Sequence, residues 1–269
     1  MIKLPDKILP ADIDTTLATY QNEVDTKTTF VEKVKSAKAL FSKYNKKGNS
    51  TFDKIKEVLV EMCSGAARCG YCEDSKADEV EHIQPKDIYP ELVFVWENYL
   101  YACGPCNGPK NNKFAIFEAT TGTFKDITPQ KGSNPVAPPS GDVVLINPRT
   151  ENPMDFLILD LVDTFFFVEV HDVGTKEFKR AEYTKEILGL NSRDYLALAR
   201  KNAFENYCAR LLTYNTRKLE GAPDKEIQKI REGILKEHHP TVWKEMQRQY
   251  HLHDQLKSLF EAAPEALQW

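Results

Sequence analysis

A chain of 269 residues, 41% of them apolar, can bury one sizeable core or two small ones. Its formal charge of -4 excludes a protein that coats nucleic acid with uniformly positive surface. Pro5, Asp6 and Pro10 stand where an export signal or a first membrane span needs an unbroken apolar run, so a cytoplasmic location is expected.

Residues 1–62 read as a helical region. Phe30, Val34, Ala37, Phe41 and Tyr44 form a stripe behind a capping box at Thr29 and Glu32, and Phe52, Ile55, Leu59 and Met62 form a second behind Ser50 and Asp53, with Gly48-Asn49 as the turn. Lysines crowd this region: nine between Lys27 and Lys56 against Glu32 and Asp53. They are either a phosphate-attracting surface or the solvated face of a helical hairpin. From Glu61 to Lys113 five basic residues meet nine acidic ones, the balance expected where carboxylates gather a divalent cation.

Residues 63–130 form a cysteine-bracketed module. Cys69-x-x-Cys72 and Cys103-x-x-Cys106 match the spacing of two zinc knuckles, and four thiolates satisfy the tetrahedral preference of zinc. A disulfide pairing is the weaker reading without an export signal, and unligated buried cysteines are the third. Cys63 and Cys208 read as ordinary buried thiols. Residues 78–85 look like a strand ending at Pro85, with Glu81 and His82 on opposite faces; a second strand runs through Asn98, and Cys106-Asn107 opens a short helix. Two strands and a helix have too little core to fold alone, so zinc would contribute folding free energy directly.

Residues 131–269 begin in a Pro/Gly/Ser-rich link. Strands are expected at Val143 to Ile146 and Thr164 to His171; the most apolar stretch, Phe156 to Val170, is too short for a membrane span and reads as buried strand. Helical segments follow near Arg180 to Leu190, Ser192 to Lys218, Asp224 to Glu237 and Thr241 to Ala262. His238-His239 and His251-x-His253 have only superficial metal spacing and are read as surface or packing residues. The whole is an α+β protein.

The segment Cys69 to Phe114 resembles the HNH endonucleases, which share the ββα-metal fold. The resemblance makes His82 the general base, Asn98 the residue that orients the catalytic loop, and Asn107 the third motif residue of an H-N-N version. Glu81 takes the place of the acidic metal ligand, which is more often aspartate. Oxygen donors such as Glu81 and Asn107 suit Mg2+ or Mn2+, and a neutral histidine can accept a proton at pH 7. Lys86, Lys110 and Lys113 are candidates for phosphate contacts, with a solvated helix face the alternative.

Glu81-His82-Ile83-Gln84-Pro85-Lys86, Trp96-Glu97-Asn98 and Cys106-Asn107 through Lys110, Lys113 and Phe114 are similar to the nuclease subunits of Septu anti-phage systems, the PtuB family. Leu145-Ile146-Asn147-Pro148-Arg149 and Ile187 to Asn191 extend the similarity. Relatives place a histidine shortly after an Asn/Asp-Pro segment, whereas this chain reads Asn152-Pro153-Met154-Asp155-Phe156, so no supplementary site role is expected there. The resemblance implies cleavage of DNA, or of RNA in a retron-type system. It also implies a PtuA-like ATPase partner of the ABC/SMC type, in some systems beside a retron reverse transcriptase and its nucleic acid. The competing readings are a non-catalytic treble-clef zinc module that binds nucleic acid or protein, and a restriction-type HNH nuclease acting alone.

Overall fold

A computed structural model describes residues 1–269 and shows an α+β chain of helices with three small antiparallel sheets. No helix is long and apolar enough to cross a membrane. Helices α1 (Ala11–Asp25), α2 (Phe30–Tyr44) and α3 (Ser50–Met62) come first. The capping box at Thr29 and Glu32 is present, and the stripe behind it is buried at Val34, Ala37 and Phe41. The cap of α3 differs from expectation: Asn49 accepts the Phe52 amide at 3.0 Å, and Ser50 is already helical. Helix α1 is additional to the expected pair; its Ile13, Leu17, Tyr20 and Val24 repeat at helical spacing and pack inward.

Strands β1 (Glu79–His82) and β2 (Tyr99–Ala102) pair with Glu81 opposite Leu100 and His82 opposite Tyr99, and α4 (Gly104–Lys110) follows directly. A second sheet has the order β4 (Phe124–Asp126), β3 (Ala115–Glu118), β5 (Gly141–Val143). The expected strand through Ile146 stops early because the Ile146 amide donates to the Thr184 hydroxyl at 3.0 Å instead of a ladder partner. The apolar stretch from Phe156 is two strands, β6 (Leu157–Leu159) and β7 (Phe167–Glu169). Asp160 forces the turn by accepting the amides of Val162 and Thr164 at 2.9 and 2.8 Å.

Helices α5 (Lys176–Ile187), α6 (Asp194–Leu219), α7 (Asp224–Leu235), α8 (Pro240–Gln249) and α9 (Asp254–Ala262) complete the chain. The single helix expected over Thr241 to Ala262 is broken at His253, which is extended. The break turns Phe260 back onto Trp243, ring centroids 5.6 Å apart, where a continuous helix would carry it away.

Two cores result. A 42-residue cluster joins the four cysteines to the C-terminal half, and a 15-residue cluster joins α1 to α3 to Val80, Val93, Phe94, Trp96 and Tyr99. The β1–β2 pair lies between them.

Candidate functional site

The four cysteine sulfurs lie within 4.8 Å of one another, all buried. The Cys72 and Cys103 sulfurs are 3.8 Å apart, too far for a disulfide and equal to the edge of a tetrahedron with metal–sulfur bonds of about 2.3 Å. The cluster can therefore hold a zinc ion. The Gly70 amide ties the first knuckle to the Tyr101 carbonyl at 3.0 Å, and a Cβ at Gly70 would lie 3.1 Å from the Leu100 side chain. The second knuckle is the start of α4, where the Cys106 and Asn107 amides donate to the Cys103 carbonyl at 3.0 and 2.9 Å. Four thiolates and one Zn2+ leave two negative charges, and Arg193, just before α6, donates to the Cys106 sulfur at 3.2 Å. The other sulfurs around Cys72 draw its thiol pKa down.

The alternation of β1 separates its side chains onto two faces. Val80 and His82 face the helical hairpin, where the His82 ring lies 4.4 Å from Phe41 and 5.3 Å from Tyr99. His82 Nε2 is 2.9 Å from the Val93 carbonyl, which can only accept, so Nε2 carries the proton and Nδ1 is the basic nitrogen. Burial first, then the positive charge of Lys86, pushes the His82 pKa down to about 3, and the imidazole is neutral at pH 7.

The other face carries Glu79 and Glu81 toward α4. Glu81 is buried and ion-paired with Lys110, which also donates to the His82 carbonyl at 2.9 Å. Burial raises the Glu81 pKa, and Lys110 and Lys86 oppose the rise. The Asn107 side-chain amide donates to Glu79 at 2.6 Å. Asn98 is buried behind the strands; it accepts the Gln84 amide at 2.8 Å and donates to the Gln84 and Leu92 carbonyls at 3.0 Å each. These bonds fix both ends of the loop that carries Val93 under the imidazole.

Glu81, His82, Lys86 and Asn107 line one cavity of about 540 Å3, walled by Phe41 of α2, by Asn45 at the C-cap of that helix and by Lys56 of α3. Lys86 lies over the Phe41 ring at 5.3 Å. Two of the expected phosphate contacts lie elsewhere. Lys110 has no exposed surface and acts on Glu81 and the strand end, because its ammonium needs a buried counter-ion once α4 packs on β1. Lys113 is exposed beyond the helix end, outside the cavity lining.

Residues the spacing does not single out also hold the site. Glu79 is readable as the position two before Glu81 on the same face. Arg149 is visible in the sequence only as part of the Leu145 to Arg149 motif; it is buried, bonds the Trp96 and Tyr99 carbonyls and lies 4.4 Å over the Trp96 ring. Asn191, in the Ile187 to Asn191 motif, serves the C-terminal core instead, clamping the Phe167 amide and carbonyl at 2.9 and 2.8 Å.

Fold and site together define an α+β protein built around a buried four-cysteine cluster that can hold zinc. Its sequence is similar to the Septu protein PtuB of Bacillus thuringiensis, with 45% identity over 78 residues, 26% of this chain and 30% of that protein. The match thus spans less than a third of the relative's length. No family model and no solved structure matches the chain.

Proposed function

We propose that this protein is a metal-dependent HNH endonuclease that hydrolyses phosphodiester bonds in nucleic acid, most readily DNA, as the effector of an anti-phage complex with a PtuA-like ATPase. The observation that carries the reading is His82: its Nε2 is occupied by a backbone carbonyl, its ring is neutral, and it lines the same cavity as Glu81 and Asn107. The succession of β1, β2 and α4 supports the same reading, since the motif residues require two strands followed by a helix.

In this reading Nδ1 of His82 accepts the proton of the attacking water, and the Val93 carbonyl holds the tautomer. A bound phosphodiester brings negative charge beside Lys86 and raises the basicity of the imidazole. Glu81 and Asn107 are the residues that would hold the divalent cation, with Glu79 beside the Asn107 amide as a further carboxylate. When bound there, such a cation would supply positive charge to offset that on the scissile phosphate and the leaving 3′ oxygen. Asn98 keeps the loop in register, and Lys110 keeps Glu81 in place.

One feature favours a non-catalytic zinc module: Glu81 already has a counter-ion in Lys110. Cleavage of plasmid DNA and of labelled RNA by the chain with its ATPase partner and Mg2+ or Mn2+ separates the two. His82→Ala should lower the rate by about 10² or more, and Asn107→Ala should abolish the response to metal titration. Cleavage by His82→Ala at the wild-type rate defeats the nuclease reading.

A further inference from the structure

The lysine-rich hairpin has a definite place relative to the cavity. A second hollow of about 1010 Å3 runs between α2 and the extended Pro/Gly-rich segment from Lys125 to Pro139, and Asn112 lines both hollows. Helix α2, with its C-cap, spans the two: Val31, Lys35 and Lys38 line the outer hollow, and Phe41 and the C-cap residue Asn45 line the cavity of His82. At about 1.5 Å per residue its 15 residues extend roughly 22 Å.

Charge divides along this path. Asp78, Glu79 and Glu81 gather at the inner end, whereas the outer hollow carries four lysines against Asp87 and Asp126. Lys38 is tied to Asp87 at 2.8 Å and Lys125 to Glu118 at 2.6 Å. Lys35 and Lys131 make no ion pair and line the hollow from opposite walls, one on α2 and one on the extended segment; Lys56 and Lys86 likewise make no ion pair at the inner end. A solvated helix face needs no opposing lysine on a separate segment.

We propose that the two hollows form one trench that holds a strand of nucleic acid by its phosphates, with Lys35 and Lys131 gripping it on the approach to His82. The proposal rests on the nuclease reading for what happens at the inner end, but not for the binding itself. Phosphates repeat every ~3.4 Å along one strand of a duplex, so the length of α2 accommodates several of them. Exposed Val31 and Val136, 44% and 80% accessible, offer apolar surface to base or sugar without base-edge readout, so the grip carries no sequence preference.

The test uses the full-length chain carrying His82→Ala, without divalent metal, and a fluorescein-labelled oligothymidylate followed by anisotropy. Lys35→Glu/Lys131→Glu should weaken binding about tenfold or more at low salt. Lys35→Gln/Lys131→Gln should lower the slope of log affinity against log salt by about 0.7 for each phosphate no longer neutralised. Competition with oligouridylate and with duplex DNA ranks the strand types. Unchanged affinity and slope in both double variants overturn the trench, even if the wild type cleaves. Weakened binding alongside a fully active His82→Ala enzyme leaves the trench standing and removes the base.

Discussion

The two sides of the β1–β2 pair are held by different physics. On the hairpin side Phe41, Phe52, Phe94 and Tyr99 form a contiguous aromatic cluster, with Phe52 and Tyr99 fully buried. That side is stabilised by apolar area and ring packing and needs nothing from outside the chain. On the other side four sulfurs converge at distances that suit a metal, with Arg193 as counter-charge. Without an ion, that corner retains buried thiols that repel when ionised, set in the core that continues into the C-terminal half. The strand pair that presents His82 is thus anchored once by hydrophobic burial and, when zinc is bound, once by ligation, and the two anchors should then fail independently.

Removing the metal corner is the largest perturbation. Cys103→Ser, or treatment with a strong chelator, should take bound zinc from about one per chain to none and remove up to ~10 kcal/mol of local stability. Hydrogen exchange should then show the amides of Gly70 and Cys106 losing protection while those in the middle of α2 and α3 keep theirs. Equal protection on both sides after zinc loss would show that the anchors are one unit. Damage to the aromatic corner is smaller and has the opposite signature. Phe52→Ala should destabilise by about 3–5 kcal/mol in denaturant unfolding with zinc content unchanged. Zinc loss in that variant would break the comparison from the other direction.

Acid offers the mildest probe, and it reads the histidine between the anchors. The folded-state pKa of His82 is about 3 against an unfolded value near 6.5, so the unfolded chain binds the extra proton between those limits and stability falls as pH drops through that window. Between pH 7 and pH 5 the His82 contribution to that loss is about 2 kcal/mol. Glu81, raised by burial, shifts stability the other way as it protonates, so the comparison must be made against His82→Phe, whose pH slope should be shallower than that of the wild type. Identical slopes would mean that the imidazole is not buried as a neutral ring.

The parts legible in the sequence are those set by local spacing. The CxxC brackets, the Thr29–Glu32 box and the alternation of Glu81 and His82 each depend on residues within a turn or a pleat, and each has its expected geometry. What escapes depends on distance along the chain. Nothing near Lys110 says that its ammonium will be sealed against Glu81, and nothing near Arg149 names the carbonyls of Trp96 and Tyr99 as its partners. The break at His253 is hidden for the same reason, since the pattern on each side is helical and only the position of Trp243 requires the turn.

The guanidinium of Arg193 reaches a sulfur 87 positions earlier in the chain. At a synthesis rate of about 5–20 residues per second, Cys106 is joined to the chain roughly 4–17 s before its counter-charge is. A zinc ion taken up in that interval would meet thiols whose neutralising arginine is still unmade, with the C-terminal half still to close around it.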